Sequence, residues 1–490
     1  MSERVIVVGA GVGGLVSALL LSHQGYEVMV VDAAGRPGGK ASIAEVDGCE
    51  FDTGPSLLTL PAVFERVFAE VEESFAEHVT LLRPEPVFRY HFSGGGELDV
   101  HHELVDTLAS VRRTFGALAA EELERYLADA RRIWETAAPH FVLSSAPALS
   151  RLVFSGLLRF STLRSIDGMR SLSRAIDSRV RTPELKMILQ RYATYNGSDV
   201  RRAPATLGCI AHVELELGGF GVKGGIYELV RALYSLASRR GAVFEWGTAV
   251  KGLGWDGRGI NGVELADGRR LASRRVVVNA DVEQTFERLL PSQLRRHAPR
   301  KCEPSMSAYN AVIRAHRQAT RAAHAVLFPK DYLREFADIF SHGRVPEDPA
   351  VYLCSQERAH QRLGWQDHEP LFAMINAPAS PGQHVDPELD PIRAARPRLV
   401  ERGLLDRDDH GVWERSPSDL AQAFPGSGGA LYGAASNDKW AAFRRAPNAF
   451  ARVPGLFFAS GSAHPGGGLP LVAQSGREAA RAIVAAEGVS

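Results

Sequence analysis

Val5 to Val8 are four consecutive β-branched apolar residues. A run without polar alternation predicts a strand buried on both faces. A glycine turn follows, then Leu15 to Gln24 at helical spacing, with Gly25 where a helix C-cap glycine belongs. Glu27 to Val31 is a second apolar strand, closed by Asp32. Similar short runs return at Val276 to Val278, ending at Asn279, and at Leu456 to Ala459, which leads through a glycine-rich turn into a final helix, Leu471 to Ala486. Between them the pattern predicts a hairpin over Ser42 to Phe51, turning at Asp47-Gly48. A helix is expected from Pro61, and a charged helical region over Thr107 to Ala137 carries Glu121 and Arg125 at i, i+4. Ile226 to Arg240 reads as a helix and Val243 to Trp246 as a strand. Asp256-Gly257, Asn261-Gly262 and Asp267-Gly268 are turn signals that imply a small antiparallel meander. Further strands are expected at Ala308 to Ile313, Val351 to Ser355 and Leu371 to Ile375, and no internal repeat is evident.

At 490 residues the chain has room for two or three domains, and 45% hydrophobic residues supply their cores. The 57 basic and 57 acidic residues balance, which argues against a broad phosphate-neutralising face and so against a nucleic-acid partner. Cys49, Cys209, Cys302 and Cys354 form no CxxC pair, and neither a metal site nor a disulfide framework is expected. The N-terminal apolar run is interrupted by glycines and lacks a cleavage site, so it reads as a phosphate-binding turn rather than a signal peptide. No stretch has the character of a transmembrane helix. From Thr136 to Ile166 there is no acidic residue, and Leu149 to Phe160 mixes leucine, valine and phenylalanine with Arg151 and Arg159. An interfacial amphipathic stretch and a core-facing helix with solvated arginines fit it equally. The expectation is a cytoplasmic protein, peripherally bound to a membrane surface.

Gly9-Ala10-Gly11-Val12-Gly13-Gly14 matches GxGxxG in the context that makes the motif informative: after a buried strand, opening a helix, before an acid closing the next strand. Gly9 is expected to permit the tight turn, Gly11 to let the backbone approach a pyrophosphate, and Gly14 to pack helix against strand. The helix N-terminus offers unpaired N–H groups to phosphate. Asp32 would accept hydrogen bonds from ribose hydroxyls, which disfavours NADP. A second formal match, Gly219 to Gly224, is rejected as a nucleotide site. The segment before it, His212 to Leu217, alternates charged and apolar residues as no central Rossmann strand does, and Glu214 and Glu216 would repel a pyrophosphate.

Beyond Asp32 the chain gives Gly35-Arg36-Pro37-Gly38-Gly39-Lys40 and Phe51-Asp52-Thr53-Gly54-Pro55 instead of another βα unit. This is similar to amine-oxidase-like flavoproteins and favours FAD over NAD. Arg36 and Lys40 are read equally as cofactor contacts and as solvated loop charges. Gly461-Ser462-Ala463-His464-Pro465-Gly466-Gly467-Gly468-Leu469-Pro470 lies between a strand and the last helix, where backbone N–H groups reach a cofactor.

Together with Phe51 to Ser56 and Lys223-Gly224-Gly225, the motif His464 to Pro470 resembles the bacterial phytoene desaturase family across essentially the whole chain. Ala463 stands where that family often has threonine or valine. Phe424 to Gly433, Val351 to Gln356 and Ile375 to Pro378 look closest to the hydroxyneurosporene desaturase branch, the 1-hydroxycarotenoid 3,4-desaturases.

The resemblance implies an α/β fold: a Rossmann-type FAD-binding domain of the amine-oxidase-like class, with an inserted α+β substrate domain and a helical membrane-facing region. FAD-binding segments are expected at 1–80, 216–295 and 436–490, a helical substrate region at 81–215 and a substrate domain at 296–435. It implies FAD contacts from Gly9 to Gly14, Asp32, Ala33, Arg36, Gly38, Gly39, Lys40, Gly54, Pro55, Ser56, Leu57, Val250, Asn279, Ala280, Gly461, Ser462, Gly468, Leu469 and Pro470. It implies desaturation of a hydrophobic carotenoid, with FAD taking two electrons and the final electron acceptor unspecified. His464 is the residue singled out as a proton acceptor, with ordering of its loop as the equal alternative. Glu214 and Glu216 are weaker candidates, read by default as a solvated strand face. Competing readings are a phytoene or ζ-carotene desaturase, a carotenoid isomerase, an amine oxidase and a non-catalytic flavin-binding protein.

Overall fold

The computed structural model describes residues 3–146, 166–379, 391–438 and 440–487. β1 (Arg4–Val8) and β2 (Glu27–Val31) lie at the centre of a five-stranded parallel sheet. Its order is Leu456–Phe458, Arg275–Val278, β1, β2, Val243–Glu245. Consecutive β1 side chains point to opposite faces, and both faces are covered. Val5 and Val7 join a core with Leu15, Leu229 and Ile483, while Ile6 and Val8 join another with Leu253, Ile260 and Phe458. That is why the strand is apolar at every position. Each of these side chains contributes about 1.5–3 kcal/mol through burial, so a charge at Ile6 would break the sheet's centre.

The first face carries α1 (Val12–His23), the helix Tyr227–Arg239 and the last helix, Leu469–Glu487. α1 and the last helix cross at glycines. A Cβ on Gly476 would overlap the Gly13 carbonyl oxygen, and Ser17 Oγ donates to the Gly476 carbonyl at 2.9 Å. The second face carries an antiparallel sheet of Val250–Trp255, Ile260–Leu265 and Arg270–Ala272. Asp256-Gly257 and Asp267-Gly268 are its turns, but Asn261-Gly262 is not one. Gly262 sits inside a strand, paired with Gly254 and Ala272, where a Cβ would overlap the Leu271 carbonyl oxygen. Close backbone approach, not a turn, requires glycine there.

The hairpin Ile43–Val46/Cys49–Asp52 turns at Asp47 and Gly48, with φ of 50° and 72°, as a two-residue turn with both central φ positive requires. The helical region after residue 104 is two helices, Leu104–Phe115 and Ala117–Phe141, parted by Gly116 at φ 93°. His212 to Leu217 is not a strand. Cys209–Leu215 is a helix, and Glu214 is 4% exposed. The Gly219 to Gly224 motif forms no Rossmann turn. Gly221–Val222 pairs antiparallel with Leu81–Leu82, away from the parallel sheet.

A seven-stranded sheet stands beside this unit, in the order His410–Arg415, Ser307–His316, His368–Ala377, Val351–Ser355, His324–Leu327, Phe88–His91, Glu97–Val100. Its back face is covered by the helix Pro391–Glu401 through Ile392, Ala395 and Leu399. The basic and apolar stretch from Leu149 to Arg164 lies outside the described residues. Among those described, no helix is long and apolar enough to cross a membrane.

Candidate active site

One cavity of about 1420 Å³ runs from the glycine turn after β1 to the front face of the seven-stranded sheet. It exceeds the roughly 300–1,000 Å³ of ordinary small-ligand pockets, leaving room for a dinucleotide and a second large molecule.

At the dinucleotide end, Gly9 has φ 101°, and a Cβ on Gly14 would overlap its carbonyl oxygen. A Cβ on Gly13 would overlap the Ala459 carbonyl oxygen. Gly13, Gly14 and Ala10 do not line the cavity; they serve the close packing behind it. Gly9, Gly11 and Val12 do line it. Asn279 clamps the turn: its Oδ1 accepts from Gly11 N at 3.0 Å and its Nδ2 donates to the Ala459 carbonyl oxygen. Asp32 accepts from Ala10 N at 2.6 Å and Ala34 N at 2.7 Å, so it holds the loop as well as facing the cavity. α1 has no side-chain cap and no acid in its first turn. The last helix also begins at the cavity, at Gly468, Leu469 and Pro470, with no acid in its first turn. Two helix N-termini therefore present N–H groups to one space, which suits a pyrophosphate. At Gly468 (φ 105°) a side chain would point into open space, leaving bare backbone toward the ligand.

The second glycine loop is tied to the first by Gly38 N donating to the Ala10 carbonyl at 2.9 Å. Arg36 is exposed at the rim, where both readings of it remain consistent with its place. Lys40 is not a solvated charge: its Nζ donates to the carbonyl oxygens of Ala430 at 2.8 Å and Leu431 at 3.0 Å. Burial pulls its pKa down to about 8, opposed by Asp281 and assisted by Arg415. Ala33, Gly39, Gly54, Pro55, Ser56, Leu57, Val250, Ala280, Gly461 and Ser462 all line the cavity.

His464 is 2% exposed and lines the cavity. Its Nε2 lies 2.9 Å from the Ser144 carbonyl oxygen. A carbonyl only accepts, so Nε2 carries the proton and is not a proton acceptor. Asn448 Nδ2 donates to the His464 carbonyl at 2.9 Å, and Arg445 Nη1 donates to the Pro465 carbonyl at 2.7 Å. These contacts tie His464 into its loop; with Nε2 protonated, Nδ1 is the nitrogen that accepts in the neutral ring. Arg445 and Asn448 carried no motif signal.

The other end was illegible in the sequence. Strand register places Arg415, Asn310, Met374, Tyr352 and Val326 side by side across five strands, and all five line the cavity. At about 4.8 Å per strand this floor is about 19 Å long. Trp413 and Phe372 extend it in the adjoining row. Trp134, Phe141, Leu207, Ile210 and Val213 form an apolar wall. The next residue of the row is Tyr90, and here the trough ends against Arg191. The guanidinium lies 4.9 Å from the Phe88 ring centre and 5.5 Å from that of Tyr90, and donates to Tyr90 Oη at 3.0 Å. Arg191 Nη2 is 3.5 Å from Glu214 Oε1. Glu214 also accepts from Tyr192 Oη at 2.9 Å and from Tyr195 Oη. The expected solvated face for Glu214 is therefore wrong, because Arg191, Tyr192 and Tyr195 satisfy a buried carboxylate. Glu216 is half-buried, its side chain paired with His212 and Arg131. Nearby, burial and then the charges of His360 and Arg191 hold His324 well below the usual imidazole range.

Residues 12–484 match the flavin-containing amine oxidoreductases. The chain belongs to that family. It therefore is an FAD-binding oxidoreductase. A hydroxyneurosporene desaturase of Rubrivivax gelatinosus is 35% identical over 99% of this chain and 94% of its own length. A 4,4'-diaponeurosporene oxygenase of Staphylococcus haemolyticus (strain JCSC1435) is 29% identical over 99% and 98%. These place the family member among the carotenoid desaturase-type enzymes. Putrescine oxidase bound to putrescine shares the fold at TM-score 0.64 and 14% identity, over 99% of both chains. Cyclohexylamine oxidase of Brevibacterium oxydans IH-35A does so at 0.60 and 15%, over 100% of both.

Proposed function

We propose that the protein introduces the C3–C4 double bond into a 1-hydroxylated acyclic carotenoid. The observation that carries this reading is the trough: a floor of about 19 Å, apolar walls, and a buried polar cluster around Arg191 at its closed end. A linear polyene suits that shape. A cationic amine would find no unengaged carboxylate at that end, since Glu214 is already held by Arg191, Tyr192 and Tyr195; the reading therefore does not extend the shared fold of the amine oxidases to their substrates. The relative from Rubrivivax, named for hydroxyneurosporene, supports the branch.

FAD, when bound, supplies a two-electron acceptor. Gly9, Gly11, Asp32, Gly468 and the two helix N-termini hold it, by this reading, and Asn279 and Arg445 keep their loops rigid. The chain's contribution to the reaction is alignment and exclusion of water. Phe372, Met374 and Trp413 bear on the hydrocarbon. Phe443, 39% exposed, packs edge-on against Phe141 with both lining the cavity, and Trp440 beside it is 54% exposed. This apolar rim suits entry of the substrate from a membrane surface.

The test is an anaerobic assay of the FAD-loaded protein with liposomes containing phytoene, ζ-carotene, neurosporene or 1-hydroxyneurosporene, read by chromatography. A product with a lengthened chromophore from the hydroxylated substrate supports the reading. Turnover of phytoene or ζ-carotene alone keeps the family and overturns the substrate.

A further inference from the structure

Away from the trough, where strands of the seven-stranded sheet end, two histidines face each other. His316 closes the strand Ser307–His316, and His368 opens the strand His368–Ala377. They are direct partners in the antiparallel register, with ring centres 4.2 Å apart. The turn before His410–Arg415 brings Asp408 and Asp409 against His316. None of these four residues lines the cavity.

The two aspartates play different parts. Asp409 is 2% exposed, and both of its oxygens are engaged. Oδ1 accepts from His316 N at 2.8 Å and from His316 Nδ1 at 2.9 Å, and Oδ2 accepts from Asp406 N at 2.8 Å. This fixes the ring: the proton sits on Nδ1, and Nε2 of the neutral imidazole carries a lone pair. Nε2 stands 3.6 Å from Asp408 Oδ2. That is too long for a hydrogen bond. It is near the spacing of two ligands on one ion, about 3.4 Å for tetrahedral zinc with bonds of about 2.0–2.2 Å. Both groups are open to solvent, the His316 side chain 37% exposed and that of Asp408 75%. A histidine that gives its other N–H to a fixed carboxylate has the usual arrangement of a metal-ligating imidazole.

We infer that His316 Nε2, Asp408 and His368 bind one divalent transition-metal ion of the zinc type, with Asp409 as the carboxylate that orients His316. Directly opposed residues of an antiparallel pair have Cβ atoms about 4.5–5.5 Å apart, near enough for two imidazoles to share an ion. Imidazole donors select zinc, nickel or copper over magnesium and calcium, which take oxygen. Water completes the four ligands. The site does not involve the cysteines, and no spacing in the sequence announces it, because its ligands come from three segments. Asn310 of the trough floor is six residues back along the same strand, about 20 Å away, so the ion takes no part in the reaction. It joins two inner strands to the turn that leads into the edge strand His410–Arg415, which supplies Trp413 and Arg415 to the trough floor.

The test uses the full FAD-loaded chain without a histidine tag, stripped with EDTA and titrated calorimetrically with Zn(II) or Mg(II), with Tm read in parallel. Wild type, His316→Gln, His368→Gln and Asp408→Asn are compared. His342→Gln is the control, since His342 is exposed and pairs with Asp338 elsewhere. Wild type and the control should bind one Zn(II) per chain and gain Tm with it, because the ion binds the folded chain. Mg(II) should do neither. Loss of a ligand should weaken Zn(II) binding by at least the about 10- to 100-fold that loss of an outer carboxylate costs. Flavin content and metal-free Tm establish that each variant is folded, and Asp408→Asn, at an exposed position, decides the matter even where His316→Gln unfolds. A wild type without saturable Zn(II) binding overturns the site. Undiminished binding in the ligand variants also overturns it, because the ion would then lie elsewhere. Equal binding of Mg(II) overturns it as well, because carboxylates alone would then hold the ion.

Discussion

Asn279→Ala isolates the clamp on which the dinucleotide end depends. Asn279 joins three chain segments with one amide: it accepts from Gly11 N at 3.0 Å and donates to the Ala459 carbonyl, while its own backbone N donates to the Val8 carbonyl at 2.8 Å. The backbone bond survives the substitution and the two side-chain bonds do not. A partly buried donor and a partly buried acceptor lose their partners together, where a fully buried group left unsatisfied costs about 1–3 kcal/mol. Both groups are only partly buried, so the lower part of the range applies, about 2–3 kcal/mol in total. Expressed in cofactor affinity, that is a weakening of about 30- to 150-fold. The assay is FAD titration of apoprotein by quenching of flavin fluorescence, with Tm measured in parallel. Part of the effect will appear as a lower Tm of the apoprotein, since Asn279 also ties α1's start to the last parallel strand. Wild-type affinity together with wild-type Tm would refute the clamp.

Other perturbations test separate parts of the account. Gly476→Ala should lower Tm, because its Cβ overlaps the Gly13 carbonyl and overpacking costs about 1–3 kcal/mol. Gly35→Ala, with nothing within 4 Å of its Cβ, should change stability by less than about 0.5 kcal/mol in urea unfolding. Lys40 has a folded pKa of about 8 against an ordinary 10.5, so the unfolded chain binds the extra proton between those values and stability rises with pH there. Compared with wild type, Lys40→Met should lack that rise in apoprotein Tm between pH 8 and 10. Met374→Trp fills the middle of the trough floor and should cut turnover about tenfold or more, while FAD content stays at the wild-type level.

The dinucleotide end was legible because its signals are local. Val5 to Val8, Glu27 to Val31, Val276 to Val278 and Leu456 to Ala459 each lack polar alternation, and all four became neighbours in one doubly covered sheet. Glycine reports local backbone demands, and so the turn at Gly9 and the hairpin at Asp47-Gly48 could be read directly. Gly262 misled for the same reason: its demand is set by Leu271 on another strand. The substrate end is non-local. The row Arg415, Asn310, Met374, Tyr352, Val326 exists only after five strands, drawn from residues 307 to 415, have found their register. Glu214 looked solvated because its burial depends on Tyr192, Tyr195 and Arg191 some twenty residues earlier, and no periodicity within His212 to Leu217 records them.

The most direct test is a single turnover without oxygen. Enzyme carrying oxidised FAD is mixed with one equivalent of 1-hydroxyneurosporene in liposomes, and the spectrum is followed. The account predicts that flavin absorption bleaches as a longer-wavelength polyene band grows in, with one flavin reduced for each double bond formed. Flavin that stays oxidised with the hydroxylated carotenoid, yet bleaches with phytoene or with an amine, would contradict it.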